Sequence, residues 1–312
     1  MEKLVIATRK SKLALWQSEY IKAELLKHYP HMQIELQEFS TKGDKILDVP
    51  LAKIGGKGLF TKELEVAMLE GSAHLAVHSL KDVPTQFEEG LQLAAVSKRF
   101  DARDAFLSEK YSSLKDLPTG AVIGTTSLRR RMELKILRPD IELKDLRGNI
   151  NTRIAKLKAG EYDAIILAAT GVQKLQIEGE VKYFSPISLE DMIPSMGQAI
   201  LGIETTNNPE IVKLVSVLND KNANIEATIE RSFVDTLQGG CQVPIGVKAT
   251  IIDENSVRIQ AIVGMPDGSE YIEEDITANI DDFETAGQSL AQTFIDQGAK
   301  ELLERAEKVA FK

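Results

Sequence analysis

Cysteine is almost missing from this chain: 312 residues carry one, Cys241. No intramolecular disulfide can form, so the fold rests on its buried core and a reducing cytoplasm is the expected home. Histidine is scarce, with His28, His31, His74 and His78 the whole set. No metal-ligand pattern stands out among them, and no metal is expected. His74 and His78 lie in a segment that reads as a strand, where a spacing of four is too wide for simple chelation. At least one of the two is expected in core or turn packing. Aromatic residues are 5% of the chain, with no aromatic ladder or basic stripe of the kind that binds nucleic acid. No apolar run reaches the ~18–20 residues of a membrane span. The opening MEKLVIATRKSK has no apolar stretch of signal-peptide length. Neither a Walker A pattern nor GxGxxG occurs, which disfavours nucleotide binding.

What is present is ordinary in amount and uneven in placement. Hydrophobic residues are 43% and charged residues 27%, as in common soluble domains. The length suggests two or three domains. The net charge is −9, but residues 1–160 hold 27 Lys+Arg against 21 Asp+Glu, and residues 161–312 hold 11 against 26. A basic N-terminal portion suits a small anionic partner. The acidic remainder argues against general nucleic-acid binding.

The grammar is strand, polar turn, helix. Leu4–Ala7 reads as a strand and Leu13–Leu26 as a helix with Ser11 as N-cap. A strand over Ile34–Phe39 follows, then a long glycine-bearing loop from Ser40 to Gly58, of a length that is usually functional. Thr61–Glu70 reads as a helix closed by Gly71, and His74–His78 as a buried strand leading into Ser79-Leu80-Lys81-Asp82. The middle repeats this: strand Ala121–Gly124, helix Leu128–Leu137, strand Ile141–Leu146, a helix to Gly160, strand Ala164–Ala168. IATRKSKLAL echoes IGTTSLRRRMEL, and EGSAHLAVHS echoes AGEYDAIILA. Two similar βα domains with mostly parallel sheets are expected. The segment Met192–Glu204 reads as a loop and strand that returns to the first domain. Beyond Asn222 come a long helix ending at Gly239-Gly240, strands Gly246–Ile252, Val257–Val263 and Tyr271–Ala278, and one final helix over Phe283–Val309. These form a small α+β domain.

Arg9, Arg129, Arg130, Arg147 and Arg153 lie at strand-to-helix turns or in the first helical turn. Cations there oppose the helix dipole, so an anion is expected to compensate them. Arginine pairs bidentately with carboxylates, and Ser11, Thr125, Thr126 and Ser127 add hydroxyls. A polycarboxylate or phosphate ligand fits five such placements; pairing with internal acids such as Asp145 or Glu133 is the alternative for any one of them. Asp82, beside Lys81 at a strand's carboxyl end, is placed to move protons or stabilise a cation. Its alternative is a turn-forming role before Pro84. Cys241, in Gly239-Gly240-Cys241-Gln242-Val243-Pro244, has flanking glycines that let the backbone bring a thiol close to a ligand; its alternative is an inert packed residue.

Together IATRKSKLALWQ, LAKIGGKGLFTKELE, AVHSLKDVPT, GTTSLRRR, LRGNINTR, EYDAIILAATG and LQGGCQVPIG resemble the porphobilinogen deaminase (hydroxymethylbilane synthase) family, from residue 6 to residue 246. The resemblance implies an α/β fold of three domains. Two are periplasmic-binding-protein-like βα lobes with mainly parallel sheets, residues 1–98 plus 199–218 and residues 99–198, with a cleft between them. The third is a small α+β domain, 219–312. It implies a covalent dipyrromethane cofactor on Cys241, on which four porphobilinogen molecules are deaminated and joined before hydrolysis releases hydroxymethylbilane. By the same resemblance Asp82, Arg9, Arg147 and Arg153 match catalytic positions. Lys81, Thr125, Ser127, Arg129 and Arg130 match cofactor-binding positions. Ser11, Arg9, Gln17, Arg147, Arg153 and Lys174 match substrate-binding positions. Lys53, Gly56, Lys57 and Phe60 match a mobile lid loop. A cytoplasmic monomer acting on porphobilinogen, with no nucleic-acid or membrane partner, is implied.

Three positions depart from the family pattern. Lys174 stands where arginine is common, Ala199 where a GQG segment has its second glycine, and Ala102 where proline is usual. The rival reading is a non-catalytic small-anion binding protein on the same two-lobed fold. Such a protein normally carries an export signal and has no use for a third domain bearing a glycine-flanked thiol. A regulatory effector-binding module is more remote, because no helix-turn-helix segment is evident.

Overall fold

Alternating local signals set out the elements, in a computed structural model that describes residues 2–45, 61–238 and 243–310. In chain order they are β1 (Lys3–Arg9), α1 (Lys12–His28), β2 (Gln33–Phe39), the single turn α2 (Lys42–Lys45), α3 (Lys62–Leu69), β3 (Leu75–Ser79) and a 3-10 turn (Leu80–Asp82). Then come β4 (Leu91–Val96), β5 (Asp104–Ser108), β6 (Val122–Gly124), α4 (Leu128–Leu137), β7 (Glu142–Lys144), α5 (Ile150–Lys158), β8 (Ala164–Ala168), α6 (Ala169–Lys174) and β9 (Tyr183–Pro186). The chain continues with β10 (Leu201–Thr206), α7 (Pro209–Val215), α8 (Lys221–Thr236), β11 (Ile245–Ile251), β12 (Ser256–Gly264), β13 (Tyr271–Asn279), α9 (Phe283–Asp296) and α10 (Ala299–Ala310).

The chain divides into two compact units. The first holds the described residues up to 100 together with 197–225. Its sheet runs β2-β1-β3-β10-β4. β1 is parallel to β2 and β3, while β10 runs against β3 and β4. Leu4, Ile6, Leu75, Val77 and Ile203 form its core with Ile21 and Leu25 of α1. The buried residues of α1 recur as Ala14, Gln17, Ser18, Ile21 and Leu25, one helical stripe. Ser11 Oγ accepts the Ala14 N–H, so the expected N-cap is in place.

The second unit takes 101–196 and the described residues from 226 on. It contains a sheet ordered β7-β6-β8-β5-β9 and an antiparallel sheet β11-β12-β13. In the larger sheet β6 is parallel to β7 and β8, and β5 opposes β8 and β9. Strand for strand this repeats the first unit, with β1 matched by β6, β3 by β8 and the reversed β10 by β5. The letter echo in the sequence falls on these matched strands. On the smaller sheet's helices, Phe233 and Phe294 meet edge to face at 5.1 Å.

Several elements differ from the sequence reading. β4, β5 and β9 were not legible, because short strands that pair antiparallel carry no helix-crossover signature. The loop from Ser40 contains the turn α2, and the rest of it, 46–60, lies outside the described residues. The single final helix is two helices. Gly298 adopts φ 93 after Gln297 caps α9, and a left-handed glycine ends a helix.

Ala199 also sits in left-handed space, at φ 68, where an L-residue costs roughly 1–2 kcal/mol. This accounts for glycine being usual at that position. Gly197, at φ 64, has a second reason besides: a Cβ there would lie 2.9 Å from Leu80 Cγ. Ala199→Gly is expected to stabilise the protein by about 0.5–1 kcal/mol once the added freedom of the unfolded chain is subtracted. Urea unfolding checks this; a lowered midpoint would contradict it.

Candidate functional site

Because β1 and β3 are parallel, their carboxyl ends lie at one edge of the first unit's sheet. Arg9 ends β1 and is half-buried. Ser11 follows as the cap of α1, and the buried Gln17 donates from Nε2 to Ser79 Oγ at 2.8 Å. The 3-10 turn after β3 is pinned by Leu80, which is fully buried and donates its N–H to Ile200 O at 2.9 Å. Lys81 Nζ donates to Gln198 Oε1 at 3.1 Å. Asp82, next along, is exposed. Among the described residues its carboxylate has no hydrogen-bond or ion-pair partner. Rigid backbone beneath an open carboxylate is what proton transfer requires. Within the same sheet His78 is packed in the core, as expected of one of the two strand histidines, as half of a buried pair with Nε2 2.8 Å from Glu204 Oε2.

The second unit repeats the arrangement with more charge. Thr125 and Ser127 follow β6; Thr125 is buried, and Ser127 caps α4 by accepting the Arg130 N–H. Arg147 follows β7, Asn149 caps α5 through the Thr152 N–H at 2.9 Å, and Arg153 lies one turn in. Lys174 ends α6, the helix after β8, and is half-buried. None of α1, α4 and α5 has an acidic residue in its first turn, although acids are favoured there.

The two adjacent arginines of α4 are occupied within the protein. Arg129 donates from Nη2 to Asp104 Oδ2 at 2.7 Å, and from Nη1 to Glu133 Oε2 at 2.7 Å and Ile193 O at 2.8 Å. Arg130 donates from Nη2 to Asp104 Oδ1 at 2.7 Å and from Nη1 to Ile166 O at 3.1 Å. Arg131 pairs with Asp145 at 2.6 Å. Burial alone would raise the Asp104 carboxyl, but the two guanidiniums overcome it and hold the group well below the usual carboxylate range. Burial pushes Glu133 up to about 7 against the pull of Arg129, with Asp104 adding to the rise. Two of the five singled-out arginines therefore have their compensating anion inside the fold, so the internal-acid alternative holds for the Arg129–Glu133 contact.

Sequence reasoning missed Asp104 as their organiser. The i,i+4 spacing of Arg129 and Glu133 was a readable signal. Asp104 is 25 residues from Arg129, on a strand with no local mark of its partner. Cys241 and the loop residues Lys53, Gly56, Lys57 and Phe60 lie outside the described residues.

The remaining donors suit carboxylate groups. Arg147 Nη1 is buried without a hydrogen-bond partner among the described residues, as are Nε of Arg129 and Nε of Arg130. Buried N–H groups left unsatisfied are costly, and with the acid-free first turns they fit an anionic ligand bearing several carboxylates. Removing Asp104 would strand two buried cations. Asp104→Ala is expected to cost about 3–5 kcal/mol of stability, read by chemical denaturation; a loss under about 1 kcal/mol, the level of an exposed ion pair, would contradict the buried network.

Comparisons with known proteins agree with the motifs. Residues 4–213 match the family model "Porphobilinogen deaminase, dipyromethane cofactor binding domain". Residues 224–296 match "Porphobilinogen deaminase, C-terminal domain". The chain is 84% identical over 312 residues to the porphobilinogen deaminase of Aliarcobacter butzleri, covering 100% of both chains. It is 59% identical over 310 residues to that of Nitratiruptor sp., covering 99% of each. Among solved structures it is similar to the periplasmic VFT2 domain of Bordetella pertussis BvgS, at 12% identity and TM-score 0.44 over 70% of this chain and 86% of that one. With both family models matched in order and relatives aligned end to end, this chain belongs to the porphobilinogen deaminase family.

Proposed function

We propose that the chain deaminates porphobilinogen and joins four molecules of it head to tail on a dipyrromethane primer held by a thioether to Cys241, then releases hydroxymethylbilane by hydrolysis. What carries this reading is the match of nearly the whole chain to a family whose model names that cofactor. When bound, the primer supplies the electron-rich pyrrole position that is extended. Lys81, Thr125, Ser127, Arg129 and Arg130 hold its carboxylates, Arg129 through the alignment that Asp104 imposes. Ser11, Gln17, Arg9, Arg147, Arg153 and Lys174 take the acetate and propionate groups of incoming substrate. Lysine at 174 offers a point charge where arginine would offer a fork.

Asp82 performs the proton chemistry. Its carboxylate stabilises the cation left when substrate loses ammonia and then takes up the proton released as the new bond forms. Arg9, Arg147 and Arg153 fix the reacting groups against it. The loop bearing Lys53, Gly56, Lys57 and Phe60 acts as the lid that excludes water. We assign residues 1–98 plus 199–218 and residues 99–198 to two lobes and 219–312 to the primer-bearing domain. The working form is a cytoplasmic monomer with no nucleic-acid or membrane partner. No helix among the described residues is long and apolar enough to cross a membrane.

Intact-protein mass spectrometry tests the attachment. Wild-type protein is expected to be heavier than its sequence by a mass that survives thiol reductants and is absent from Cys241→Ser. A wild-type mass equal to that of the bare chain would refute it. Asp82→Asn is expected to bind porphobilinogen while kcat falls at least ~100-fold. A variant turning over near the wild-type rate would remove Asp82 from the reaction.

A further inference from the structure

The cluster under the N-terminal end of α4 contains two guanidiniums, Arg129 and Arg130, and two carboxyl groups, Asp104 and Glu133. All four residues are less than 10% exposed, at 4%, 7%, 1% and 3%. With both carboxyls ionised the cluster has no net charge, so it offers an incoming carboxylate donors but no counter-charge. A further buried carboxylate beside a neutral cluster would be an uncompensated charge, which is expensive. One proton from solvent changes this, because the cluster then carries a single positive charge that the ligand's carboxylate neutralises.

The geometry says which group takes that proton. Asp104 receives a guanidinium N–H on each oxygen, both at 2.7 Å. Glu133 receives a guanidinium on Oε2 only; its Oε1 accepts the neutral Ile193 N–H at 2.5 Å. A carboxylate held by one cation is the stronger base of the two. The charged groups bearing on Glu133 are Arg129 on its own helix and Asp104 on β5, and from the 192–196 segment the backbone N–H and C=O of Ile193 bond to Glu133 and Arg129.

We propose that Glu133 is a positioning residue that takes up a proton when Arg129 and Arg130 engage a carboxylate of the bound primer, so that the buried cluster passes from neutral to one positive charge. The inference rests on the primer assignment made above. The resting group is poised for it, since burial already brings Glu133 to about 7. A ligand carboxylate adds a like charge and raises it further. Arg129 is also tied through Ile193 O to the segment whose next residue, Pro194, accepts the Val247 N–H of β11 at 2.8 Å. That strand begins at Ile245, shortly after Cys241 in the sequence.

Infrared titration of the protonated-carboxyl C=O stretch tests this, on primer-bearing wild type and on Cys241→Ser as the unloaded form. The expected result is a buried carboxyl that titrates near 7 in Cys241→Ser and at least about one pH unit higher in wild type, and that disappears in Glu133→Gln. Should Glu133→Gln fail to fold, labelling with carbon-13 glutamate and subtraction of Glu65→Gln, the other buried glutamate raised by burial, assign the band in otherwise wild-type protein. Equal midpoints in loaded and unloaded protein would overturn the proposal, as would a band that survives Glu133→Gln. The mass of each sample separates the two readings. Primer present with unchanged midpoints removes only the role of Glu133, whereas a wild type without primer removes the primer assignment and this inference with it.

Discussion

One carboxylate held between two guanidiniums organises the second unit. Asp104 lies on β5, the strand that runs against its neighbours, and each of its oxygens takes one arginine of α4. Burying any of these charges alone is prohibitive, so the three are mutually obligatory. The consequence is geometric: helix α4 cannot rotate or slide on the sheet without stranding a charge. Through Arg129 and Glu133 the same constraint fixes Ile193, and through Pro194 and Gly246 the 192–196 segment lies against β11. Arg129 and Arg130, proposed to grip the primer, and β11 thus belong to one hydrogen-bonded frame.

The first unit solves its own positioning problem with packing instead of charge. Leu80 fills space that Gly197 and Gly202 leave open, and this seats the short turn from which Asp82 projects. The matched strand orders of the two sheets place the proposed site residues at equivalent carboxyl ends. One unit carries an exposed acid there, the other a reserve of buried guanidinium donors.

Legibility from sequence followed the range of the interaction. The cap Ser11, the helix it begins, and the bounds of Leu128–Leu137 and Ala164–Ala168 were readable because periodicity and capping act within a few residues. The arginines at helix starts were readable as exceptions to dipole preference, and Glu133 as an internal partner, yet Asp104 was not. Asp104 reaches Arg129 only through the strand order of the sheet, and antiparallel β5 leaves no local trace of that order. The family motifs brought the functional residues together as a set, a grouping that no spacing rule provides. At Gly298 a local signal was present and underweighted: one glycine in left-handed conformation outweighed a helical pattern running through it.

A crystal structure of the primer-bearing protein bears most directly on the claim that Arg129 and Arg130 act as a pair fixed by Asp104 while Arg147 supplies a free donor. The account predicts that both arginines remain on the Asp104 oxygens with the ligand in place, and that Nη1 of Arg147 gains a ligand carboxylate. Arg129 or Arg130 found swung away from Asp104 onto the ligand, with Arg147 making no contact to it, would contradict the account.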